Sequence, residues 1–197
     1  MVDNFELFWP LDSVIVTQGW GENKTPLYKQ LGMLGHNGLD LFAVDGTLVR
    51  AAHDGKVVYS GLDGANGNLI VIITNEPFAY GANSAYFKTL YGHLQGFAVK
   101  AGEQVKVGDV IGYADNTGAS TGSHLHFGCK PVQKGEEEWV WFNIEQSNFY
   151  NGAIDPTPYL NGVLAKNAQP MFSILYKLID LLKQAIAKKQ YENTHKQ

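Results

Sequence analysis

From about residue 14 to residue 142, apolar and β-branched residues come in short runs with glycine turns between them. Residues 47–52, 56–60, 69–74 and 86–91 are rich in Val, Ile, Thr and aromatic side chains, the composition of strands. Asp54-Gly55, Asp63-Gly64 and Asn66-Gly67 punctuate them, and such dipeptides favour tight turns between antiparallel neighbours. Residues 102–108 repeat the theme, and residues 110–113 and 124–129 complete it. The pattern predicts a mainly β domain of short strands, an antiparallel sheet or sandwich with no room for long helices. Residues 75–84, broken by Pro77, Gly81 and Asn83, are expected to form a surface excursion, and residues 134–138 a short charged loop. The body is expected to end near residues 154–160, where Pro156 and Pro158 halt regular structure.

A different period begins after Gln169-Pro170. Phe172, Leu175, Leu178, Ile179, Leu182, Ala185 and Ile186 follow helical spacing, with Lys177, Lys183, Lys188 and Lys189 among them. The organisation expected is a domain over 1–160, a linker over 161–169, an amphipathic helix over 170–190 and a flexible tail over 191–197. Two roles are open for the helix: docking on the domain or on a second copy, which is favoured, and a cationic membrane-active element.

Composition narrows the class. With 197 residues, 45% hydrophobic and 17% charged, the chain suits one domain with a real core plus an appendage. A single cysteine, Cys129, excludes an internal disulfide and any cysteine-based zinc cluster. The net charge of −4 is uneven: residues 161–197 carry six lysines against Asp180 and Glu192, while residues 1–160 carry nine basic and seventeen acidic side chains. Nothing in that acidic body resembles a nucleic-acid footprint. The first residues lack a basic start and an apolar run, so synthesis in a cytoplasm without a signal peptide is expected.

The candidate chemistry lies in the histidines. His36 and Asp40 stand four residues apart in Gly35-His36-Asn37-Gly38-Leu39-Asp40, and His124 and His126 two apart in Ser123-His124-Leu125-His126-Phe127. On a strand, residues two apart share a face roughly 7 Å apart, so His124 and His126 would project side by side with Leu125 and Phe127 behind them. One of that pair with His36 and Asp40 makes two imidazoles and a carboxylate, the ligand count of a catalytic zinc site with a fourth position open. Each group alone is a weak signal; their co-occurrence with His93 in Tyr91-Gly92-His93-Leu94 is what points to a metal site. His53 reads as a turn residue beside Asp54-Gly55, Tyr91 as strand packing, and His195 as part of a frayed tail.

These residues resemble the lysostaphin and LytM type of zinc metalloendopeptidase, a family of peptidoglycan hydrolases, over about residues 14–160. The marks are the His36–Asp40 segment, residues 46–57, Tyr91-Gly92-His93-Leu94, Gly108-Asp109-Val110-Ile111-Gly112 and residues 117–127, in that order. Ser123 and Gly128 depart from the family's frequent Pro and Glu. The resemblance implies one zinc per chain held by His36, Asp40 and His126. His93 and His124 would flank the reactive water, and the antiparallel sheet would carry a groove with the metal on its floor. It further implies cleavage of peptidoglycan cross-links. The lack of a visible signal peptide or upstream inhibitory segment fits a phage endolysin or a virion-associated lysin, with non-classical export of a bacterial enzyme as the other route to the wall. The competing reading is a non-catalytic wall-binding or hydrolase-activating module of the same fold. The excursion at 75–84 would wall one side of the groove.

Overall fold

The computed structural model describes residues 5–136 and 141–161. The expected linker, helix and tail beyond residue 161 lie outside the described residues, as does part of the charged loop over 134–138.

The strands are β1 (Leu7–Phe8), β2 (Val16–Gln18), β3 (Leu39–Phe42), β4 (Leu48–Arg50), β5 (Gly55–Leu62), β6 (Asn68–Thr74), β7 (Phe78–Tyr80) and β8 (Asn83–Phe97). They continue with β9 (Gln104–Val105), β10 (Val110–Ala114), β11 (His124–Lys134), β12 (Trp141–Asn143) and β13 (Leu160–Asn161). One four-residue helix, α1 (Leu27–Gln30), and two single 3-10 turns are the helical elements among the described residues. Eleven strands form one antiparallel sheet whose main path runs β2-β3-β11-β8-β6-β5-β9. The mainly β, antiparallel expectation therefore holds.

Strand length departs from it. β8 runs for 15 residues and β11 for 11, because each serves several neighbours. β8 pairs with β6, β7, β10 and β11 along different parts of its length. The excursion at 75–84 lies at the surface as expected, but as a hairpin rather than an irregular loop: β7 folds back on the start of β8, and Phe78 and Tyr80 pack against the core. It also does not wall the groove beside the expected metal ligands. Tyr86, just past that hairpin, lies opposite Val132, whereas Gly92 lies opposite His126. Six residues of strand separate the two ends, about 20 Å at strand rise.

Residues ahead of the strand pattern that begins near residue 14 pack into the body. Phe5 stacks on Phe87 with ring centroids 3.9 Å apart, and Leu7 and Leu11 are buried. The two prolines do not end regular structure, because β13 follows them and pairs in parallel with β1. The core gathers Leu39, Leu41, Ile70, Ile72, Phe87, Tyr91, Leu125 and Phe127 from four central strands. Every second residue of β3, of β11 from Leu125 to Cys129 and of β8 as far as Tyr91 points there, leaving the opposite face free to carry polar groups.

His53 lies in the bend before β5, as expected of a turn residue, but it is buried. It is 6% exposed, its Nδ1 lies 2.8 Å from the Asp54 carbonyl and its Nε2 2.9 Å from Thr89 Oγ1. The Thr89 and Tyr91 hydroxyls hydrogen-bond at 3.0 Å, and Tyr91 Oη accepts the Ala52 N–H at 2.8 Å. Tyr91 is thus core packing, with a buried polar handle. Three residues before His53, at the end of β4, Arg50, also buried, donates from Nε and Nη2 to the two carboxylate oxygens of Asp12, each at 3.0 Å.

Candidate metal centre

Three adjacent strands build the site. β3, β11 and β8 are neighbours, and their registers place His126 directly between Asp40 on one side and Gly92 on the other. His36 precedes β3 in a loop whose backbone is tied to residues 21–22 by two hydrogen bonds. Gly38 lets this loop approach β11: a Cβ there would stand 2.6 Å from the Phe127 carbonyl and 2.8 Å from the His126 ring. No side chain fits in that gap.

His36 Nε2, Asp40 Oδ1 and His126 Nδ1 form a triangle with sides of 3.0, 3.1 and 3.1 Å. Atoms bound to one zinc ion at about 2.0–2.1 Å stand a little over 3 Å apart, so the triangle fits. His36 Nδ1 lies 3.2 Å from the Gly19 carbonyl, the outer contact that fixes a ligand imidazole's tautomer with its other nitrogen free. Two imidazoles and a carboxylate with an open side fit one zinc ion with a free position. His36 and His126 are buried, and Asp40 is only partly shielded.

His93 and His124 face the same centre from two strands, ring centroids 4.6 Å apart. Each anchors Nδ1 on a backbone carbonyl at 2.7 Å, His93 on Thr117 and His124 on Gly122. With Nδ1–H spent on a carbonyl, each presents Nε2 to the site, and His124 Nε2 comes within 3.5 Å of Asp40 Oδ1. His93 owes its direction to a break in β8. Ala85, Phe87, Thr89 and Tyr91 alternate into the core, so strict alternation would send residue 93 there too. Instead, Asn68 pairs with Leu94 and Ile70 with Tyr91, a bulge that inserts one residue. His93 takes the left-handed backbone at φ 60° and turns to the site, while Leu94 drops into the core. Such a conformation costs a non-glycine residue about 1–3 kcal/mol and recurs at functional positions.

The charges respond to this crowding. Burial opposes the charge on Asp40, but the imidazoles of His124, His126 and His36 outweigh it and hold the carboxyl well below the usual range. Burial and then the neighbouring His124 push His93 down to about 4. Burial also acts against the charge on His124, yet contact with Asp40 raises it overall, while burial above all lowers His126.

All five residues singled out from the sequence thus meet at one place. The residue pattern missed the Thr117 and Gly122 carbonyls, which are backbone atoms and carry no signature. It also missed Tyr28 on α1, whose phenol accepts a hydrogen bond from Gln18 Nε2 at 2.7 Å. Burial and the Asp40 charge push that phenol up to about 12, so it stays a donor at the rim.

An open three-ligand centre flanked by two free imidazoles, on the polar face of an antiparallel sheet, is the site of a metallopeptidase-type hydrolase. The chain belongs to peptidase family M23, whose model matches residues 34–137. It is 35% identical over 144 residues to the glycyl-glycine endopeptidase ALE-1 of Staphylococcus capitis, covering 73% of this chain and 33% of that protein. The catalytic domain of lysostaphin from Staphylococcus simulans superposes with a TM-score of 0.55 at 29% identity, covering 74% of this chain and 91% of that one. A zinc-containing peptidase from Vibrio cholerae gives 0.54 at 30% identity, with 72% and 39% covered. The chain spans a third or less of the length of the first curated relatives it matches.

Proposed function

We propose that the chain is a zinc-dependent endopeptidase that hydrolyses peptide cross-links of bacterial peptidoglycan. His36, Asp40 and His126 hold the metal, and His93 and His124 carry the proton chemistry. The observation behind this reading is the donor triangle with two further Nε2 atoms turned toward it. When bound, zinc polarises the scissile carbonyl and makes water a nucleophile near neutral pH.

The protein's own groups supply the rest. An imidazole with Nδ1–H held by a carbonyl can accept the proton of the attacking water at Nε2 and return it to the leaving amine. The second imidazole, protonated at Nε2, hydrogen-bonds the oxyanion as it forms. Because Thr117 and Gly122 fix both rings in advance, neither has to reorient during the reaction. A regulator that only binds wall would have no need of two anchored imidazoles beside an open ligand set, which favours the enzyme over the non-catalytic module.

Mass spectrometry of fragments released from purified peptidoglycan, with and without a zinc chelator, tests the reading. Chelator-sensitive new amino termini are expected, and their residue distinguishes a glycine bridge from a D-alanine linkage. His126→Ala should lose both zinc and release, whereas His93→Ala should keep zinc and lose release. No release by zinc-loaded protein from several wall types would overturn the proposal.

A further inference from the structure

Two lysines stand side by side on the face of the sheet that carries His126, and one of them, Lys130, lines the groove that starts there. Lys130 is four residues further along β11 on the same face, and Lys88 of β8 is its direct partner across the ladder. At about 3.3 Å per residue, Lys130 stands about 13 Å from His126. Gly128, between them and opposite Leu90, contributes no side chain. A Cβ there would meet nothing closer than 3.6 Å, so the backbone tolerates a larger residue and its absence leaves the floor open. His126, Gly128 and Lys130 line one cavity of about 500 Å³, walled by Met33, Asn37 and Phe149.

Like charges facing each other across an antiparallel pair destabilise it, so this juxtaposition works against the fold. Both side chains are half-buried, burial lowers both ammonium pKa values, and Lys88 lowers that of Lys130 further. Asp63 acts on Lys130 from a distance. Among the described residues, the lysines that form ion pairs are Lys24 and Lys106, not these two. Two partly desolvated lysines paired across the ladder, one of them lining the groove, make a seat for an anion.

We propose that Lys88 and Lys130 bind a carboxylate of the substrate peptide, an acidic side chain or a free carboxy terminus, about two to four residues from the bond cut. This rests on the peptidase reading above, and it makes the enzyme selective for acidic over amidated peptides. The site takes the carboxylate between the two ammoniums, which relieves their repulsion and orients the extended chain along β11.

The test uses soluble cross-linked wall peptides with free carboxylates and the same peptides amidated at one carboxylate at a time. In the zinc-loaded protein, amidation at one position should lower kcat/KM about tenfold, the worth of a charge-assisted contact. The position that matters tells a side chain from a terminus. Lys88→Gln and Lys130→Gln, with zinc content intact, should bring the carboxylate-to-amide ratio near one, and Lys130→Arg should restore it. A ratio near one in the unmodified protein, or one that survives both substitutions, overturns the subsite while leaving the peptidase standing. Binding of the same peptides to His93→Ala reads the ratio without turnover. Failure to cleave any peptide therefore counts against the peptidase reading, and equal affinities count against the lysines.

Discussion

Acid should weaken this protein through a histidine outside the metal centre. Burial pushes His53 from 6.5 down to about 4 in the folded chain. Its Nδ1–H is given to the Asp54 carbonyl, so in the neutral ring Nε2 accepts from Thr89, and burial penalises the charged ring. In the unfolded chain the imidazole takes up a proton near its ordinary pKa. Between those two values the unfolded state therefore binds more protons, and stability falls as pH falls. The contribution is whole above about pH 6.5 and gone near 4. Over that window of two and a half units, at about 1.4 kcal/mol per unit, it amounts to about 3 kcal/mol. Other groups titrate in the same range, His93 among them, so the quantity to isolate is a difference. Urea unfolding across the window would be run on the parent and on His53→Gln, both saturated with zinc. The parent's advantage over the variant should shrink by about 3 kcal/mol from neutral pH to about 4. A pH-independent gap between the two curves would refute the reasoning, since it would mean that His53 titrates alike folded and unfolded.

Other consequences are as direct. Gly38→Ala forces a Cβ against the Phe127 carbonyl and the His126 ring, so zinc affinity measured by competition with a chromogenic chelator should fall at least tenfold, by about 1.4 kcal/mol or more. Tyr91→Phe strands the buried Ala52 N–H and should lower unfolding free energy by about 1–3 kcal/mol, with zinc content unchanged. Asp12→Ala leaves the Arg50 guanidinium buried without its carboxylate and should lower stability by about 2–3 kcal/mol, while Asp12→Glu recovers part of it. Zinc should raise the melting temperature of the parent and of His93→Ala, but not of His126→Ala, as read by calorimetry with and without chelator.

The metal centre was legible because its residue types are rare and closely spaced, and strand periodicity alone places His124 and His126 on one face. Most strands were legible for the same reason. What stayed hidden depends on partners distant in sequence. Phe5 gives no sign that it stacks on Phe87, because that contact spans 82 residues. Asp54-Gly55 marks a turn correctly, yet whether His53 beside it faces water or Thr89 is decided by β8 folding behind it. The hairpin of β7 on β8 looked like a loop because Pro77 and Gly81 mark its breaks, while only three residues of strand lie between them. The Lys88–Lys130 juxtaposition required the register of β8 against β11, which no single run of residues discloses.

The bulge in β8 carries a lesson for anyone moving this site elsewhere. An alternating strand has two phases, and Gly92-His93 changes the phase between Tyr91 and Leu94. Grafted onto an uninterrupted strand, Tyr-Gly-His-Leu would keep every residue of the motif and send the imidazole inward and the leucine into the groove. Deleting a single neighbour in the native strand would make the same exchange. A transplant, natural or designed, must carry the kink along with the letters, and a search by motif alone cannot tell a working copy from an inverted one.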